Sequence, residues 1–165
     1  MLPIGVEIPE NIFTQRDDEW MREAISVAVE AQAAGEVPVG ACLVSRDGML
    51  LARAGNRTLT DCDPTAHAEI VVLREAARRI GNHRISGAIM YATIEPCAMC
   101  AGALVQARIA RLVYGAPDER AGAVVSQFRI CDASNLNHRL GITAGILEAE
   151  CRMIMQEFFR ARRRG

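Results

Sequence analysis

Residues 87–117 read GAIMYATIEPCAMCAGALVQARIARLVYGAP, and this stretch decides the fold. GAIMYATIEP is an apolar run of strand length that Pro96 breaks. CAMCAGALVQAR then reads as a helix. Pro96 suits its beginning, because proline has a preset φ and no amide proton to donate. IARLVYGAP is a second run of strand length. A strand, a helix and another strand in so short a span describe a crossover unit of an α/β sheet, with helices on its faces.

Reading outward, DPTAHAEIVVLREAARRIG (63–81) predicts a helix with Asp63 as N-cap, Pro64 at the first helical position and Gly81 as the stop. VPVGACLVSRDGMLLARAGN (37–56) is two apolar runs joined around Asp47-Gly48, a hairpin signal. DDEWMREAISVAVEAQAAG (17–35) opens with acidic residues, carries apolar residues at helical spacing and stops at Gly35. Downstream, HRLGITAGI (138–146) has room for a short fifth strand, and EAECRMIMQEFFRARRRG (148–165) reads as a closing helix. The expectation is an arm over residues 1–15 and one α/β domain over residues 16–165, its helices covering a mixed sheet.

The composition agrees. Half of the 165 residues are hydrophobic, enough for one domain with a sizeable core. A net charge of −1 provides no global field toward nucleic acid or anionic lipid, so any such contact must be local. Every basic residue is arginine, whose planar fork suits phosphate. No apolar run approaches a membrane span, and MLPIGVEIPENIFTQRDDEW lacks the basic and apolar regions of a secretory signal. A cytoplasmic protein without membrane contact is expected. In that setting the 6 cysteines argue against a disulfide scaffold. Cys42 and Cys151 sit in apolar patterns and read as buried small hydrophobes.

Cys97 and Cys100, three apart at a helix start, share one face of its first turn. The helix dipole and free amides there favour thiolates, which zinc binds. The same C-x-x-C fits a thioredoxin-type redox pair equally well. His67 and Glu69, two apart, cannot stack on one face of a regular helix. Near a helix mouth, however, they can flank a point just beyond its end. If the two helix starts converge, His67, Cys97 and Cys100 supply three zinc ligands and leave a fourth position for water, the mark of a catalytic site. Glu69 is then best used as a proton shuttle.

His67-Ala68-Glu69 followed by Pro96-Cys97-Ala98-Met99-Cys100 resembles the signature of the zinc-dependent nucleobase deaminases of the cytidine and deoxycytidylate deaminase superfamily. Along nearly its whole length the chain resembles the bacterial tRNA adenosine deaminases. EVPVGA, GNR, DPTAHAEIVVLR, EPCAMCAGAL, RLVYGAPD, NHR and FFRARR carry that likeness. The resemblance implies a cytidine-deaminase-like three-layer α/β/α fold with a five-stranded mixed sheet. It implies hydrolytic conversion of the wobble adenosine of a tRNA anticodon loop to inosine by a homodimer, with one zinc ion per subunit. It makes His67, Cys97 and Cys100 the zinc ligands and Glu69 the proton shuttle. Asn56 matches an asparagine that hydrogen-bonds the target nucleoside, and Asp118 a loop aspartate that touches RNA beside the flipped base. Phe159 and the arginines after it, Arg162 and Arg163 among them, match a C-terminal segment that meets the anticodon stem-loop. AGALVQ in the Cys97 helix resembles a dimer face. The chain departs from the family at Arg120, where lysine is usual, at Val125, where glycine is usual, and at Thr58, where proline is common.

Each assignment has a plainer competitor. Asn56 fits a turn residue after the hairpin, and Asp118 a solvated loop charge. Phe158 and Phe159 fit a core as well as a stacking platform. The C-terminal arginines fit the negative end of a helix dipole as well as a phosphate patch. For the whole chain, the alternatives are a zinc deaminase of free bases or nucleosides (guanine or cytosine type) and a non-catalytic, zinc-stabilised tRNA-binding subunit.

Overall fold

The computed structural model describes residues 10–165, with side chains from residue 16 onward. Along the chain run α1 (Glu10–Ala33), β1 (Gly40–Val44), β2 (Leu50–Gly55), α2 (Ala68–Ile80), β3 (Ile89–Ile94), α3 (Ala98–Gln106), β4 (Arg111–Ala116), β5 (Gly141–Ala144) and α4 (Glu148–Arg164). Of the arm expected over residues 1–15, residues 1–9 lie outside the described residues, and residues 10–15 already belong to α1.

The sheet has 5 strands in the order β2-β1-β3-β4-β5. β1 is antiparallel to both β2 and β3, whereas β3, β4 and β5 are parallel, so the sheet is mixed as expected. The hairpin between β1 and β2 turns at Asp47-Gly48, with Gly48 at φ +82. Side chains alternate across the strands with period two. Leu43, Met90 and Leu112 join the core under α2 and α3, while Cys42, Tyr91 and Val113 join a second core that includes Met21 of α1 and Cys151 of α4. Helices thus cover both faces, giving three layers.

Two contacts fix the first face. A Cβ at Gly40 would lie 1.9 Å from the Ala24 carbonyl oxygen, and one at Gly55 would lie 2.6 Å from that of Val27. Backbone packs on backbone there, and only glycine allows it. Deeper in the same layer, Asp17 of α1 accepts from Tyr91 Oη at 2.8 Å and from both terminal nitrogens of Arg111 at 3.0 and 2.6 Å. Arg111 also donates to Thr143 Oγ1 at 2.8 Å, so one buried carboxylate ties α1 to three neighbouring strands.

The second helix corrects the sequence reading. It begins at Ala68, with His67 as N-cap, rather than at Pro64. Asp63 closes a turn instead, its Oδ1 accepting from Thr65 N at 2.8 Å and Thr65 Oγ1 at 2.7 Å. The asparagine-like turn chemistry of aspartate competes with its capping role, and here the turn wins. The stop is as expected: Gly81 is left-handed at φ 68. No helix among the described residues is long and apolar enough to cross a membrane.

Candidate metal centre and substrate grooves

α2 and α3 each follow the sheet with an N-cap residue that does not cap. His67 (φ −66, ψ 153) and Cys97 (φ −73, ψ 176) have extended backbones, and neither side chain bonds to its own helix amides. Both turn toward each other instead. Cys97 Sγ lies 3.6 Å from His67 Nδ1, and Cys100 Sγ lies 3.5 Å from the same nitrogen. The three donor atoms all fall within 4.8 Å of one another. A tetrahedral zinc site with Zn–S of about 2.3 Å and Zn–N of about 2.0 Å separates its ligands by roughly 3.5–3.8 Å. The donor set and its spacing therefore fit zinc.

The H-x-E spacing is resolved by the same cap. His67 stands outside the helical repeat, so the two residues straddle the passage from extended to helical backbone. Glu69, in the first turn of α2, is buried, with Oε2 3.6 Å from Cys100 Sγ. It is not part of the ligand triad. Burial raises its pKa above the ordinary carboxylate range. Cys97 moves the other way, pushed down to about 3 by hydrogen bonds with Cys100 and His67. His67 is raised by its contact with Cys97, and Cys100 is raised by donating to it. A lowered thiol pKa favours the thiolate, the form that metals take.

The candidate substrate residues divide between two grooves. Asn56, just past β2, lines one of about 540 Å³ together with Glu36, Arg57 and Thr60. Its loop is tied to the metal helix, since Arg57 N donates to Ala66 O at 2.9 Å, one residue before His67. Asp118, Phe159, Arg162 and Arg163 line the other, of about 780 Å³, between the loop after β4 and α4. The metal cluster lines neither. Phe158 and Phe159 split the two roles open to them: Phe158 is buried and Phe159 is 44% exposed. Their rings meet edge-on at 5.3 Å, and Arg162 sits over the Phe158 ring at 4.6 Å. Asp118 is more than a solvated charge, because its Oδ1 accepts from Arg120 N at 3.0 Å and Ala121 N at 3.1 Å and so shapes its own loop.

Two buried carboxylates to which the sequence pattern gives no role support the site, Glu36 and Glu95. Glu95, at the end of β3, takes the amides of Asp118, Val124, Val125 and Ser126 at 2.8–3.2 Å, as well as the Ser126 hydroxyl. It joins the residue before Pro96-Cys97 to the whole loop that bears Asp118. An acidic residue ending an apolar strand, between Ile94 and Pro96, was the available signal: such a carboxylate is buried and needs donors. Val125 meets Glu95 only through its amide and is 49% exposed, so its departure from the family pattern leaves the anchor intact.

Comparison with known proteins agrees with this geometry. Residues 14–116 match the cytidine and deoxycytidylate deaminase zinc-binding region. The chain is 44% identical over 152 residues to the tRNA-specific adenosine deaminase of Haemophilus influenzae, covering 92% of this chain and 88% of that protein. A structure solved in a study of A-to-I editing by tRNA:A34 deaminases at the wobble position superposes with a TM-score of 0.80 at 45% identity, covering 82% of this chain and 98% of that one. A guanine deaminase from Bacillus subtilis is more distant, with a TM-score of 0.59 at 37% identity, over 61% of this chain and 64% of that one.

Proposed function

The chain belongs to the tRNA-specific adenosine deaminases of the cytidine and deoxycytidylate deaminase zinc-binding family, and from that premise we propose that it hydrolyses the wobble adenosine of a tRNA anticodon loop to inosine. The observation that carries the reading is the meeting of His67, Cys97 and Cys100 at two helix starts, with Glu69 buried beside them but outside the triad.

His67, Cys97 and Cys100 would hold a zinc ion, which would supply Lewis-acid chemistry and make water acidic enough to react near pH 7, about the value catalytic zinc sites reach. The remaining work falls to the chain. Glu69 takes one proton from water and delivers it to the purine ring nitrogen, then carries the second, from the new C6 hydroxyl, to the departing amine. A C6–O bond forms, the C6–N bond breaks, and ammonia leaves. A carboxylate with a raised pKa accepts and releases protons near neutrality better than an ordinary one. Asn56 holds the nucleoside. Asp118, Phe159, Arg162 and Arg163 receive the anticodon loop, the ring by stacking and the guanidinium groups at phosphate. A loop base is turned out at small cost, which suits a site that a duplexed base cannot enter.

A homodimer belongs to the same proposal. Of AGALVQ, residues Ala101, Leu104 and Val105 are buried in the chain's own core, while Gly102 borders open space and Met99 is 36% exposed. The small outer face of α3 is where a second copy would pack, in a cytoplasmic enzyme acting on tRNA.

The test is an anticodon stem-loop with adenosine at the wobble position, incubated with zinc-loaded protein and assayed for inosine. Inosine is expected there and not when the adenosine is moved elsewhere in the loop. Turnover of free guanine or cytosine in place of the RNA would assign the chain to base deaminases.

A further inference from the structure

The loop that carries Asn56 is held by a carboxylate for which the deamination chemistry has no use. Glu36 lies between α1 and β1 and is 1% exposed. Its Oε1 accepts from Thr60 N at 2.7 Å and Thr60 Oγ1 at 2.9 Å. Its Oε2 accepts from Thr58 Oγ1 at 3.3 Å and Asn56 Nδ2 at 3.4 Å. Burial alone raises its pKa, but the hydrogen bonds of Thr60, Leu59 and Thr58 outweigh burial and lower it, so Glu36 is a carboxylate that only accepts.

An acceptor-only partner decides which end of an amide faces it. Nδ2 of Asn56 must turn toward Glu36, and Thr58 Oγ1 accepts from the same nitrogen at 3.3 Å. Both bonds leave from Nδ2, so the nitrogen end of the amide is turned toward Glu36 and Thr58, and Oδ1 is the end turned away from them. Thr58, one of the chain's departures from its family, closes this arrangement with a hydroxyl that proline lacks.

We propose that Glu36 is a positioning residue for substrate: together with Thr58 it locks the Asn56 amide with Oδ1 outward, so that Asn56 receives an O–H or N–H donor of the target nucleoside. This rests on the proposed contact between Asn56 and the nucleoside.

A double-mutant cycle on the zinc-loaded enzyme, with stem-loop RNA as substrate, tests it. Glu36→Gln removes the acceptor-only character at nearly constant shape. It is expected to lower kcat/KM about tenfold or more, mainly through KM, with zinc stoichiometry unchanged. In an Asn56→Ala background the same substitution should cost less than about twofold, because its effect passes through Asn56. Thr58→Val should show a smaller loss with the same dependence on Asn56, and it serves as the test if Glu36→Gln does not fold. An equal loss with and without Asn56, or no loss at all, overturns the positioning role. Normal kcat/KM in Asn56→Ala alone overturns instead the nucleoside contact beneath it.

Discussion

Glu69 and Glu95 are the same residue type with almost the same burial, 4% and 2% exposed, yet they end in opposite electrostatic states. Burial raises both. For Glu69 its own backbone amide, the charge of His67 and the Cys100 thiol do not offset burial, and its pKa stays high. For Glu95, bonds from the Ser126 hydroxyl and amide and from the amides of Val125 and Asp118 outweigh burial, and its pKa falls below the ordinary range. Low solvent exposure alone therefore does not say whether a carboxylate is charged; its depth in the interior and the donors aimed at it do. The undersupplied glutamate keeps a raised pKa, which suits the proton transfer proposed for it. The fully supplied one holds a loop.

Four substitutions test that contrast, from the largest expected effect to the smallest. Glu69→Gln should cut turnover by about 10³-fold, within the usual range for a lost general acid–base, while zinc content stays at one ion per chain. Inosine formation and metal analysis would check both halves, and retained turnover would remove Glu69 from the chemistry.

Glu95→Gln should act on stability first. Turning an amide N–H₂ toward a nest of donors is expected to cost about 2–3 kcal/mol in urea unfolding at pH 7. The pH dependence has a definite sign. With a folded pKa below the unfolded value of about 4.3, Glu95 stabilises fully above that pH and loses its contribution as pH falls through the folded pKa. The gap between the wild-type and Glu95→Gln stability curves should close below about pH 4. A constant gap across that range would mean the charge of Glu95 is irrelevant to its role.

Ser126→Ala removes one donor to Glu95 and leaves the amides. A loss of about 1 kcal/mol is expected, with the acid limb of the stability curve shifted upward. Val125→Gly should matter least, because Val125 reaches Glu95 through its backbone. The added freedom of glycine is expected to cost about 0.5–1 kcal/mol, and a larger loss would show that the Val125 side chain supports the loop.

Much of this was legible in the chain itself. Gly81 ended a helix because a left-handed residue was needed there, and Asp47-Gly48 turned a hairpin for a related reason. Apolar runs of strand length around a C-x-x-C helix announced the α/β sheet and its crossover. The start of α2 departs from the local signal, since a turn claims Asp63 and Pro64 before a helix can. Glu36 and Glu95 drew no assignment because their donors come from residues 20 or more positions away, where no local pattern points. The pairing of Asp17 with Tyr91 and Arg111 was hidden in the same way.

Local chemistry determined by itself the residue types at the metal site, their order, and the helix starts near which they stand, because ligand identity and backbone preference are properties of short segments. It left open whether Cys97 and Cys100 form a redox pair or join His67. Only the tertiary structure decided that, by placing two helix N-termini side by side so that their cap residues face each other at 3.6 Å rather than their own amides, with Cys100 at 3.5 Å from the same histidine nitrogen. It also separated Phe158 from Phe159 and gave two buried glutamates opposite pKa shifts. Such outcomes depend on donors, neighbours and exclusion of water, which a folded chain brings together from distant positions.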